Sequence, residues 1–440
     1  MTTGYARPAL AVAPRVADFR PSFRALIVLL LLAAALVPIG GCSYIFSEKR
    51  TVYEYEPAYG VDSSEFRRSL DAFGTEMVPH NRATLLQNGD AIFEAMETAF
   101  RAARQSINVE TYIFDDGSVG TRFARVLSEK ARQGVQVRLL VDGFGAHLGR
   151  LSEEMAAAGV KVAVYKPLRI YSLYKVGNRT HRRIFTIDGI AGFCGGVGID
   201  DRWLGDARNP SEWRETMVEV AGPVVGQLQH IFFEDWVHTT GEVLNGSSQF
   251  PNIEPAGDML AQAISSSRTD QSSMAKLQYY MAIQAARRRI WIENAYFVPD
   301  SQIRQGLVQA AARGVDVRVI VPGKYIDSPN VRNASRFHYG ELLDGGVQIY
   351  EYLPTMMHNK VMVVDGIWTS IGSINFVNRS MRKNGEASVS IYDRRFAEQV
   401  EKMVDNDLTR CERFTKEKWK KRGLTARFGE LFFWLFSENY

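Results

Sequence analysis

The sequence predicts an α/β protein made of two repeated lobes related by a pseudo-twofold axis, and three observations carry that prediction. The same order of apolar-periodic helices and β-branched runs is written twice along 440 residues. The β-branched runs alternate with helical segments, as βαβ units do. Composition is ordinary globular usage, 46% hydrophobic and 23% charged, and the length suits two or three domains at about 150 residues each.

Residues 1–41 read as an address. Arg15, Arg20 and Arg24 precede a thirteen-residue apolar run, Ala25 to Val37, followed by Pro38-Ile39-Gly40-Gly41-Cys42. A basic start, a short apolar core and small residues describe a secretory signal. The run falls short of the 18 or more residues of a spanning helix. Ile-Gly-Gly-Cys resembles a bacterial lipobox, which implies lipidation of Cys42. The competing reading is an uncleaved anchor extending through Ile45-Phe46. Both place the chain in the cell envelope, at a membrane. Residues 42–83 form an N-terminal extension.

The first lobe spans 84–238. It carries a helix over 91–103, a strand over 106–114, a helix over 119–133 and a strand over 134–141. The second lobe, 274–408, repeats this with segments 277–288, 290–297, 301–313 and 314–321. The next strands, 159–165 and 346–352, also match. Such alternation implies a largely parallel sheet buried on both faces. Residues 239–273, rich in Ser, Gly and Asn, serve as the connector, and 409–440 form a basic and aromatic C-terminal segment. Net charge is +4, with +3 of it in residues 1–41. The near-neutral remainder excludes a global basic field for nucleic acid. Three Cys exclude a disulfide scaffold, and Cys194 and Cys411 read as packed thiols.

After the third strand of each half comes a histidine with a cation two residues on and an aspartate seven residues on. These are His181-Arg-Arg183-Ile-Phe-Thr-Ile-Asp188 and His358-Asn-Lys360-Val-Met-Val-Val-Asp365. Residues i and i+2 of a strand share a face, so each cation projects beside its histidine. A small-residue turn follows at equal distance, Gly195-Gly196-Val-Gly198 and Gly372-Ser373-Ile-Asn375, where backbone N–H groups can approach an anion. Two facing sets suit a phosphodiester. The cations clamp its oxygens, one imidazole attacks phosphorus, and the other protonates the leaving alkoxide. No metal or cofactor is called for, and no His-x-x-x-His pair is present. His80, His147, His230, His238 and His338 read as ordinary histidines.

The paired motifs, 177 residues apart with the same glycine-rich sequel, resemble the HKD signatures of the phospholipase D superfamily. The resemblance runs over about residues 84–425 and points to bacterial cardiolipin synthases through Glu110-Thr-Tyr-Ile-Phe114, Trp213-Arg-Glu-Thr216 and Asn378-Arg-Ser-Met-Arg-Lys-Asn-Gly-Glu386. It implies two α/β/α lobes sharing one active site, competent as a monomer, with His181 as nucleophile and His358 as general acid and base. It further implies phosphate contacts from Asn375, Ser373 and Gly196, and imidazole-orienting carboxylates at Glu386 and, in half one, Glu215. Asp188 and Asp365 belong to the catalytic motif but brace its turn. Two departures stand out: Arg183 replaces a lysine and Gly198 replaces an asparagine. The implied activity is transfer of a phosphatidyl group from an anionic glycerophospholipid to an alcohol. Hydrolysis, or an inactive lipid-binding homologue, is the alternative.

A basic stretch from Lys166 to Arg183, interleaved with Tyr165, Tyr171 and Tyr174, suits anionic headgroups, and a nucleic-acid contact would use the same residue types. Residues 410–427 hold eight basic and two acidic side chains ahead of Leu431-Phe-Phe-Trp-Leu-Phe436, a pattern that fits a membrane interface, the competing reading being a C-terminal helix packed on the lobe.

Overall fold

A computed structural model describes residues 52–167, 179–266 and 274–435. The first half contributes β1 (Val78–Gln87), β2 (Ser106–Thr111), β3 (Gln136–Asp142), β4 (Lys161–Tyr165), β5 (Ile184–Ile187), β6 (Ala191–Gly195) and β7 (Thr216–Ala221). The second contributes β8 (Met259–Ser266), β9 (Arg289–Asn294), β10 (Phe297–Val298), β11 (Asp316–Pro322), β12 (Gln348–Tyr352), β13 (Lys360–Val364), β14 (Trp368–Gly372), β15 (Phe376–Val377), β16 (Glu386–Tyr392) and β17 (Cys411–Phe414).

Fifteen of these strands form one sheet whose order is a palindrome of equivalents. From the centre outward the first half reads β1-β7-β6-β5-β2-β3-β4, and the second reads β8-β16-β14-β13-β9-β11-β12 with β17 added at the edge. The halves join where β1 meets β8 antiparallel, with Val78 opposite Ala261 and Asn81 opposite Met259. The short pair β10 and β15 stands apart.

The largely parallel sheet expected from sequence is not what forms. Within the fifteen-stranded sheet only β2-β3-β4 and β9-β11-β12 run parallel, and its other pairings are antiparallel. Connection length decides this. Helices Ser118–Arg132 and Ser301–Ala312 supply the long crossovers that parallel neighbours need. The short turns at Asp188 and Asp365 permit only antiparallel hairpins. The stretch 239–273 contains β8, the partner that keeps β1 from being an open edge. Residues 411–414 likewise pair with β12 as β17 rather than leaving the domain.

Helices cover both faces of the sheet. Helix Asn88–Ala102 turns Ile92, Phe93, Met96 and Phe100 inward, against Phe123 and Phe185. Helix Met274–Ala285 serves the second half in the same way. On the opposite face, helices Val224–Thr240 and Arg394–Leu408 share one core with strands of both halves, from Ile184 and Val218 to Val361 and Val389. That shared layer makes the two lobes one folding body, because neither half can bury its inner face alone. Cys194 and Cys411 are unpaired thiols, and Cys194 is buried. No helix among the described residues is long and apolar enough to cross a membrane.

The motif aspartates are structural. Asp188 and Asp365 sit at φ 51° and 54°, the left-handed region that Asp tolerates better than most residues. Their carboxylates accept three successive backbone N–H groups: Asp188 from Arg104, Gln105 and Ser106, and Asp365 from Arg287, Arg288 and Arg289. Each aspartate therefore ties its hairpin to the start of β2 or β9. Asp365→Ala should lower the unfolding free energy by about 3 kcal/mol through three lost charge-assisted bonds. Denaturant midpoints of wild type and variant check this.

Candidate active site

The histidines sit just before β5 and β13, at the rim between the halves. What brings them together is backbone. His181 donates its N–H to the Gly385 carbonyl at 2.7 Å, and His358 donates to the Arg214 carbonyl at 2.8 Å. Thr180 bridges Gly385, and Met357 bridges Arg214. The residue after each bridged partner is a glutamate, Glu386 or Glu215, so its carboxylate is delivered to the histidine of the other half. His181 Nδ1 donates to Glu386 Oε2 at 3.0 Å, and His358 Nδ1 donates to Glu215 Oε2 at 2.5 Å. The two orienting carboxylates expected from sequence are both present, each crossed to the opposite lobe. With Nδ1 engaged, Nε2 of each ring is the nitrogen left for chemistry.

The cations lie over the rings. Lys360 Nζ is 2.8 Å from Nδ1 and 3.0 Å from Nε2 of His358, distances that place it above the ring face. Arg183 Nη1 is 3.3 Å from both nitrogens of His181. The substituted arginine thus occupies the same station as the lysine, with its guanidinium 5.9 Å from the Tyr112 ring centre.

The second departure also has a cause. A Cβ at Gly198 would stand 2.8 Å from the Trp203 indole and 2.9 Å from Ile113 Cβ. Trp203 fills the space of the missing side chain, and its Nε1–H donates to Glu215 at 3.2 Å. In the second half Asn375 keeps its side chain, lines the cleft, and has a buried Oδ1 without a partner among the described residues. Ser373 and Gly196 support the glutamates instead of facing the cleft. Ser373 Oγ donates to Glu386 Oε2 at 2.5 Å, and a Cβ at Gly196 would strike the Glu215 carboxylate at 2.7 Å. Asp188 and Asp365 stand outside the cleft lining. Cys42 lies outside the described residues, as do residues 168–178 of the basic stretch.

Both histidines open onto one cleft of about 390 Å³. A larger depression beneath Tyr53–Ala58 holds no histidine, so the chemistry belongs to the first. Arg179, Arg202, Arg379, Tyr112, Tyr296 and Trp213 also line the cleft. Arg202 and Arg379 were legible: each follows its histidine by 21 positions. Tyr296 and its acceptor Asp327 had no such signal, because the loop carrying Asp327 has no counterpart spacing in half one.

Burial sets the electrostatics. It holds the His181 imidazole below its usual pKa, with Glu386 pulling the other way. It holds His358 further down, with the Lys360 charge acting in the same direction. Burial raises Glu215 against the pull of Lys360, and drops Lys360 to about 7 against the pull of Glu215. Deeper down, Arg182 bonds Asp235 at 2.9 Å and Arg214 bonds Asp407 at 2.8 Å. Glu110 and Glu293 sit beside these pairs. Burial and the neighbouring aspartate push both up, Glu293 to about 8.

Two predictions follow from the geometry. Lys360 is charged below its depressed pKa and neutral above it, so kcat/KM for a phosphodiester should fall as pH rises through about 7. Lys360→Arg should move that alkaline limb upward, which a pH–rate profile of both proteins reads. Restoring the family residue should harm the site. Gly198→Asn displaces Trp203 and is expected to cut kcat/KM about ten-fold or more, by analogy with other overpacked cores. Adding Trp203→Ala should recover part of the loss.

The family model described as cardiolipin synthase, PLD-like domain matches residues 96–236 and 279–408. The chain is 37% identical to cardiolipin synthase A of Pseudomonas entomophila (strain L48) over 360 residues, covering 81% of this chain and 74% of that one. It is 36% identical to cardiolipin synthase of Geobacillus kaustophilus (strain HTA426), covering 80% and 70%. Among solved structures, phosphatidylserine synthase of Haemophilus influenzae Rd KW20 superposes with a TM-score of 0.64 at 12% identity, over 84% of this chain and 96% of that chain, a likeness of fold.

Proposed function

The chain belongs to the cardiolipin synthase-like branch of the phospholipase D superfamily, and on that footing we propose that it passes a phosphatidyl group from one anionic glycerophospholipid to the hydroxyl of another. It is a phosphatidyltransferase of this family, and phosphatidylglycerol is the donor we assign. The observation that carries the reading is the crossed pair of His–Glu couples in one cleft.

In the first step Nε2 of His181 attacks phosphorus, the bond from phosphorus to the glycerol oxygen breaks, and His358 gives its Nε2 proton to the departing alkoxide. In the second, the acceptor hydroxyl gives its proton to His358 and attacks phosphorus, and the P–N bond breaks to free His181. Arg183 and Lys360 neutralise charge gathering on the non-bridging oxygens, with Asn375 aimed at the same group. Burial, with the nearby cations, holds both imidazoles below their usual pKa in the free protein; the anionic phosphate offsets the cationic part, so His358 can carry a proton once substrate is bound. Glu386 and Glu215 fix the tautomers and favour the imidazolium as it forms. Water in place of the acceptor would make phosphatidic acid, and exclusion of water from the cleft separates transfer from hydrolysis.

One chain supplies both motifs, which supports a site competent in the monomer. The substrate places the protein at a membrane surface, and the near-neutral charge argues against nucleic acid. We assign residues 1–41 to export or anchorage, with Cys42 as the lipidation site; Cys42→Ser should then abolish labelling by a fatty acid.

Purified protein given labelled phosphatidylglycerol should yield cardiolipin and free glycerol, with no turnover in His181→Ala. Phosphatidic acid alone would make it a hydrolase. The roles separate with a soluble nitrophenyl phosphodiester, whose leaving group needs no proton. His358→Ala should release one burst of nitrophenolate and stall as the phosphohistidine, whereas His181→Ala should release none.

A further inference from the structure

The C-terminal helix Leu424–Leu435 presents two faces of opposite use. Its inner face is held by the second lobe. Phe433 packs against the cluster of Val298, Val331, Ala334 and Val377, and Trp434 stacks on Phe337 at 4.5 Å and 14°. Arg422 bonds the buried Glu430 at 2.7 Å and fixes the rotation of the helix. The outer face is apolar and, among the described residues, bare: Leu424 is 81% exposed, Phe428 70%, Leu431 42% and Leu435 54%. Spacing of four, three and four residues sets them in one stripe. Such a stripe on a helix already pinned to its domain has no use in folding, and its exposure costs solubility. Lys420, Lys421 and Arg427 stand exposed on and just ahead of the same helix.

From these features we propose that the outer face of helix 424–435 is a docking surface for a phospholipid bilayer rich in anionic headgroups, and that it seats the mouth of the cleft on the membrane. This rests on the transferase reading above and extends it to how the enzyme meets its substrate. The apolar stripe enters the boundary between headgroups and acyl chains, and the cations meet lipid phosphates. The geometry ties docking to the site. Val331 and Val377, which receive Phe433, also line the catalytic cleft, and Ser328 and Asp327 at the head of the adjoining helix Pro329–Phe337 line it too. A helix lying in the interface therefore holds the cleft wall against the surface from which a headgroup must enter. Acyl chains stay in the bilayer, as a headgroup-sized cleft requires.

The test uses the full-length protein in two readouts. A bimane probe at Phe428→Cys should be quenched by vesicles of brominated phosphatidylglycerol, and less by brominated phosphatidylcholine. Phe428→Asp with Leu431→Asp should lower transfer on phosphatidylglycerol vesicles about ten-fold, the loss expected when apolar residues of an interfacial helix become charged. Release of nitrophenolate from the soluble nitrophenyl phosphodiester should be unchanged. An unquenched probe overturns the proposal, as does equal loss of both activities. A probe already shielded without vesicles, in a concentration-dependent way, would assign the face to a second copy of the chain and overturn it too. The probe needs no turnover, so failure of the transferase reading and failure of this one are distinguishable.

Discussion

The site depends on an exchange between the halves. Each histidine hangs a backbone hydrogen bond on the other half's glutamate-bearing segment, and each receives that glutamate at Nδ1. Neither lobe holds a finished catalytic group. The imidazole of one is correctly oriented only when the other is docked, so the continuous sheet and the shared helical layer beneath it are requirements of the chemistry as much as of stability. A carboxylate with no solvent exposure is costly unless it is paired and bonded. Here Glu386 serves both His181 and Ser373, and Glu215 serves His358, Trp203 and the Thr216 N–H.

Around this exchange the two halves are alike in role and different in parts. Arg183 and Lys360 both lie over a ring, but only the lysine can lose its charge in the working range, because burial drops it to about 7 while a guanidinium stays charged. One half of the clamp is permanent and the other titrates. Trp203 and Asn375 make the same contrast. In half one an indole fills the space over Gly198 and supports a glutamate; in half two an amide faces the cleft. The near-symmetric frame thus carries an asymmetric centre. The buried arginine–aspartate pairs beneath, each with a carboxyl pushed upward beside it, fix the floor on both sides.

Much of this was legible in the chain. The repeat, the two His-x-cation-x4-Asp motifs and the family all follow from residue order, because strands place i and i+2 on one face and a doubled motif rarely arises by chance. Parallel against antiparallel pairing was misread, since apolar runs alone do not say how long a connection is; the hairpins at Asp188 and Asp365 do. β8 was read as linker because its role comes from the edge it covers, a property of β1 rather than of its own composition.

By itself the sequence marked out the two histidines and their cations, because these are local patterns set by the period of a strand, and the resemblance those motifs carry pointed to the fold family and to the two glutamates. Only the tertiary structure decided which glutamate serves which histidine, why Gly198 cannot be asparagine, and that Ser373 and Gly196 attend the carboxylates. The first depends on contacts between segments 143 and 205 residues apart in the chain, and the others on how side chains pack once the strands are placed; no local period encodes either.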